Sequence, residues 1–182
     1  FDKKYILFLS RVHPKKGIDL LVKSFADTVI NHNLDLVICG PCESSYKTQL
    51  LNEVNLNARG RIHFCGNVRG DAKWGAIYGC EVFILPSHQE NFGIAIVEAL
   101  ACGKAVLISD KVNIWREIVE AGAGCVEPDT RKGVDQLLLN WISRSPKDRE
   151  IMAQNAFQVY SKNFFIEKTA NSLLHLISNL IK

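Results

Sequence analysis

No stretch of the chain is apolar for long enough to span a bilayer, since every apolar run stops well short of the ~18 residues a membrane helix needs. No secretory leader is visible. Dense basic runs with interleaved aromatics are missing and the net charge is only +3, so nucleic acid is not an expected partner. A soluble, cytoplasmic protein is therefore expected. There is no internal repeat, low-complexity segment or interdomain linker, and the reading is one domain over 1–182. The six cysteines hold one close pair but no second pair at ligand spacing, which argues against zinc. A disulfide framework belongs to short secreted chains, which this is not. An initiator methionine is also lacking: the chain opens FDKKY, as a processed product or a piece of a longer protein would.

What is present is ordinary globular composition, 182 residues with 47% hydrophobic and 23% charged, enough for a sizeable core. Short apolar runs alternate with longer amphipathic ones. YILFLS (5–10), LDLVICG (34–40), RIHFCG (61–66), EVFILPS (81–87), KAVLIS (104–109) and AGCVEP (123–128) read as strands. Helical spacing occupies 18–32, 43–57, 71–80, 93–103 and 113–122, the last closed by Gly122. From about 131 onward only helical patterns occur: VDQLLLNWISR, DREIMAQNAFQVYSK and EKTANSLLHLISNLIK. Continuous apolar strands between helices predict an α/β fold. Its centre is a Rossmann-like parallel sheet of about six strands with helices on both faces, followed by a helical C-terminal tail.

Such a sheet binds ligands outside the carboxyl ends of its strands, near a reversal of strand order. The segments that reach this edge are RVHPKKG, GPCES, GNVRG and HQENFG. In the last, Phe92, Gly93 and Ile94 stand where a helix begins, and the first amides of a helix have no internal partners and attract anions. Equally, Gly93 can serve only to ease a tight turn. Glu98 lies one turn further on, inside IAIVEALA. A helix apolar all round is normally buried, so this carboxylate needs a partner. Either a cation such as Lys104 or Lys111 supplies it, or a ligand diol does. Glu90 precedes the helix, where it complements the helix dipole or faces the reacting end of a ligand. Arg11 follows the first strand and Lys16 precedes the next helix; two cations there would neutralise a diphosphate, unless they are only solvated loop charges.

Together these residues carry a resemblance. Arg11 with Lys16-Gly17, then Glu90-Asn91-Phe92-Gly93-Ile94, three residues, and Glu98-Ala99, resemble the nucleotide-sugar half of GT-B glycosyltransferases. The pattern is most similar to the group-4 family (glycosyl transferases group 1), whose paired glutamates follow E-x7-E. It covers roughly 4–160, and the 87–103 block is its most specific part. The resemblance implies the carboxyl-terminal, donor-binding half of such an enzyme, with the acceptor mostly on an amino-terminal domain that the chain lacks. It implies retaining transfer of a glycosyl group from a nucleotide-diphosphate sugar (UDP or GDP sugar), with no cofactor and no catalytic metal. It gives Arg11 and Lys16 the diphosphate, the amides of Phe92, Gly93 and Ile94 phosphate or sugar, Glu90 the transferred sugar, and Glu98 the ribose hydroxyls. The base would rest near Asn67 and Val68. Peripheral membrane association of a full-length protein is left open. Ser10, Cys42 and Lys104-Ala105 depart from the family pattern without removing a charged contact.

Other classes stay open. Cys39-Gly40-Pro41-Cys42 has the spacing of a thioredoxin-type thiol motif, although no Trp precedes it. A non-catalytic nucleotide-sugar-binding module and a GT-B epimerase would use the same site.

Overall fold

The structure is a computed structural model that describes residues 3–29 and 32–165, with Leu174, Ile177 and Ser178. Its strands are β1 (Tyr5–Leu9), β2 (Asp35–Cys39), β3 (Ile62–Gly66), β4 (Val82–Leu85), β5 (Val106–Ser109) and β6 (Gly124–Glu127). They form one sheet of order β3-β2-β1-β4-β5-β6, and every pairing is parallel. Strands β1, β2, β4 and β5 are buried at every position, which is why their sequences run apolar instead of alternating.

The helices are α1 (Ile18–Thr28), α2 (Ser44–Asn52), α3 (Leu56–Arg59), α4 (Gly70–Gly79), α5 (Ile94–Ala101), α6 (Trp115–Glu120), α7 (Arg131–Ser143) and α8 (Pro146–Val159). Chain direction across the sheet reverses between β3 and β4, so right-handed crossovers put α1 and α2 on one face and α4 and α5 on the other. Helix α7 packs on α1, while α8 packs on α5 and α6. The helix expected over 43–57 is two. The first closes at Glu53, and Asn55 starts the second, its side chain accepting from the Ala58 amide at 2.9 Å. Between α7 and α8, Ser145 caps the Asp148 amide and Pro146 occupies the first helical position. The helical pattern expected in EKTANSLLHLISNLIK lies almost wholly outside the described residues. Among the described residues no helix is long and apolar enough to cross a membrane.

At the amino edge, away from the strand ends where ligands bind, the buried Asp35 accepts from Arg61 Nε at 3.0 Å and lies 2.9 Å from His63 Nε2. Burial pushes its carboxyl up, but the hydrogen bonds from His63 and Arg61 outweigh this and hold it below the usual carboxylate range. The resulting stabilisation is fully present above the unfolded-state pKa of about 3.9 and is lost as pH falls through the lower folded value. Replacing Asp35 with Asn should cost about 1–3 kcal/mol in urea unfolding at pH 7. It should also flatten the decline in stability below pH ~4. An unchanged acid limb would show that Asp35 does not carry it.

Candidate functional site

Strand order turns around between β1 and β4, so the loops leaving those two strands flank the crevice that this topology creates. Gly17 lets them touch. It adopts φ 65°, and a Cβ there would stand 2.0 Å from the Pro86 carbonyl oxygen. The His88 amide donates to the Lys15 carbonyl at 2.9 Å, and the Ser87 hydroxyl to the same oxygen at 3.1 Å. This seam places Lys16 Nζ 2.5 Å from Glu90 Oε2, with both side chains about four-fifths covered (17% and 20% accessible). Glu90 is also held by its backbone: its amide donates to Lys111 at 3.1 Å and its carbonyl accepts from Asn113 at 3.0 Å. The loop after β5 thus braces the backbone of Glu90.

Beyond Glu90 the chain enters α5 through Gly93, at φ 75° and ψ 63°, and no side chain caps the helix. Its first amides therefore face outward. They border a hollow of about 390 Å³ whose walls include Ser10, Leu85, Glu90, Asn91, Phe92 and Gly93. Ile94 is 69% exposed on the rim, and Phe92 is held edge-on against Phe164 with ring centroids 6.0 Å apart.

Glu98 corrects two expectations. It is half-buried, with 22% of its side chain accessible, because α5 keeps one face open along Ile94 and Glu98. Its cation is neither Lys104, which donates to the Cys80 carbonyl at 2.8 Å, nor Lys111, which pairs with Asp110 at 3.2 Å. Lys73 of α4 fills the role, its Nζ 2.6 Å from Glu98 Oε1 and 4.4 Å from the centre of the Trp74 ring. The crossover rule holds the missed signal, since α4 and α5 must share a sheet face. Phe164 was missed as well, and nothing in its local sequence marks it as a neighbour of Phe92.

Three anticipated residues stand elsewhere along the edge. Arg11 is exposed and lines a neighbouring cavity of about 680 Å³ with His13, Pro41, Cys42 and Tyr46. Its chain neighbour Ser10 lines the Gly93 hollow, so the two cavities adjoin at the end of β1. Arg11 makes no ion pair among the described residues. Asn67 is exposed, and Val68 lines a third hollow, under α4, with Val37 and Cys39. The side chains of Val68 and Glu90 therefore do not share one cavity. The larger cavity is not the better candidate: the uncapped helix end, the glutamate and the strand-order reversal coincide at the smaller one.

The thiol motif has the wrong electrostatics for redox work. Burial pushes Cys39 up to about 12, and also raises Cys42, whereas a nucleophilic thiol needs a lowered pKa.

The family model for glycosyl transferases group 1 matches residues 1–159. The chain belongs to this family. A relative in Campylobacter jejuni, N,N'-diacetylbacillosaminyl-diphospho-undecaprenol alpha-1,3-N-acetylgalactosaminyltransferase, is 31% identical over 186 residues, covering 98% of this chain and 47% of its own. The chain spans about half the length of the curated relatives it matches. Among solved structures, Anabaena HepE in complex with UDP-glucose superposes with TM-score 0.84 at 20% identity, covering 98% of this chain and 49% of its own. The C-terminal domain of a glycosyl transferase group 1 family protein from Francisella tularensis superposes with TM-score 0.78 at 22% identity, covering 90% and 87%. Within this group 1 member, then, the Rossmann-like sheet is that of GT-B proteins.

Substituting Gly17 by Ala should force the Lys15–His88 seam apart. The expected cost is about 2 kcal/mol or more in denaturant unfolding, with faster hydrogen exchange at the His88 amide. Wild-type stability and exchange would show that the loops tolerate separation.

Proposed function

We propose that the chain is the donor-binding half of a retaining glycosyltransferase, holding a nucleotide-diphosphate sugar in the crevice between β1 and β4. The observation that carries this reading is the Lys16–Glu90 pair set before the uncapped start of α5. A cation, a carboxylate and outward-facing amides are what a diphosphate joined to a hydroxyl-rich sugar would meet with complementary charge.

In this reading the outward amides at Phe92, Gly93 and Ile94 and the ammonium of Lys16 receive the diphosphate. Arg11, exposed at the end of β1, turns toward it. Glu90 accepts from sugar hydroxyls, and Glu98 from the ribose. Asn67 and Val68, at the end of β3, border the base. Transfer breaks the bond between the sugar's anomeric carbon and the diphosphate oxygen, which keeps the electron pair, while the acceptor hydroxyl oxygen bonds to that carbon and its proton passes to the departing phosphate. Arg11 and Lys16 balance the charge that develops there, so catalysis is positioning and electrostatics. Among the described residues Glu90 is the only carboxylate lining the hollow, and Lys16 neutralises it. That pairing suits hydroxyl recognition better than attack or proton abstraction. The acceptor would rest on a second domain, in keeping with relatives about twice as long.

The test is thermal unfolding of the domain with UDP, GDP, ADP and their sugar conjugates. A nucleotide at ten times its Kd should raise Tm by roughly 3–6 °C. Arg11→Ala and Glu98→Gln should each weaken that nucleotide about tenfold. If no nucleotide shifts Tm, the crevice is not a donor site in this chain.

A further inference from the structure

An ion pair, Lys73 to Glu98, links helices α4 and α5, and its geometry is specific. Only Oε1 of Glu98 is taken; Oε2 accepts no hydrogen bond among the described residues. The ammonium is fixed from two sides, by the carboxylate at 2.6 Å and by the Trp74 ring at 4.4 Å. About three-quarters of the Lys73 side chain is covered, so the pair is only partly open to solvent. Glu98 lies one turn along α5 from Ile94, and Ile94 is the residue of the two that lines the hollow.

We infer that Lys73 is a positioning residue for nucleotide recognition: it locks Glu98 in the orientation that leaves Oε2 open to a ribose diol. The inference rests on the donor-site reading and adds a residue to it. Two physical effects make the pairing matter. A glutamate side chain free to rotate must be ordered when the ligand arrives, and Lys73 removes that cost beforehand. A bare carboxylate would also repel a diphosphate held in the same crevice, and the ammonium offsets that repulsion. The lysine thereby lets an acidic residue serve an anionic ligand. Stability is a minor part of its role, because a partly exposed ion pair adds little to folding.

The experiment compares UDP with 2′,3′-dideoxy-UDP by calorimetric titration of four proteins: wild type, Lys73→Met, Lys73→Arg and Glu98→Gln. Wild type should prefer UDP by about tenfold or more. Lys73→Met should bind UDP about five- to twentyfold more weakly, while the dideoxy analogue, which loses only the charge compensation, weakens by about threefold or less. Lys73→Arg should recover most of the loss, and unfolding curves of ligand-free Lys73→Met should match wild type. Tighter UDP binding by Lys73→Met would overturn the inference, because the ammonium would then be a competitor for Glu98. Equal weakening toward both nucleotides would overturn it too, by marking a general structural defect. If Glu98→Gln abolishes the ribose preference while Lys73→Met keeps it, the ribose assignment stands and the role of Lys73 falls. If wild type binds UDP with no preference for it over the dideoxy analogue, the ribose assignment itself falls and takes the inference with it. If wild type binds neither, the donor-site reading fails first.

Discussion

One ammonium–carboxylate contact, Lys16 to Glu90, joins the two sides of the crevice on which the rest of the site is arranged. Each partner sits on a different crossover, separated by 74 residues of chain. Their meeting requires that β1 and β4 be neighbours, that Gly17 surrender its side chain to the Pro86 carbonyl, and that the loop after β5 brace Glu90. The pair is mostly covered, so desolvation offsets much of its Coulomb energy. Its importance is geometric: it fixes where the carboxylate stands relative to the start of α5. The apolar core beneath, with β1 and β4 buried at every position, supplies the stability that permits this.

Charge around the crevice follows a consistent plan. Each glutamate of the E-x7-E pair is matched with a lysine from a different element, Glu90 with Lys16 and Glu98 with Lys73. Under the proposed reading, two acidic residues beside this helix end would otherwise repel the diphosphate. With both neutralised, the outward amides and Arg11, which makes no ion pair among the described residues, leave the crevice with a positive bias.

Much of this was legible in the sequence because it follows from local pattern. The six strands, their parallel arrangement and the helices on both faces follow from uninterrupted apolar runs separated by helical periods, and each expected strand falls within a residue or two of its place. The E-x7-E block brought Glu90 and Gly93 together on one loop. The less legible part depends on chain segments far apart. That Lys73 instead of Lys104 or Lys111 meets Glu98 is decided by the packing of α4 on α5. The burial expected of Glu98 failed because periodicity reports which residues are apolar, not which faces another element covers; α5 leaves Ile94 exposed. The break between α2 and α3 was likewise hidden in a single capping residue, Asn55. Arg11 was placed at the correct strand end, but the turn of the chain after Ser10 sends its side chain into the adjoining cavity.

The most direct measurement is an amide NMR titration of the domain with UDP, following where the shifts change. A donor site between β1 and β4 predicts the largest changes at Phe92, Gly93 and Ile94 and at Lys16, with smaller ones along α4 near Lys73. Changes confined to the cavity between the loops after β1 and β2, around Pro41 and Tyr46, with Gly93 and Ile94 unmoved, would contradict it.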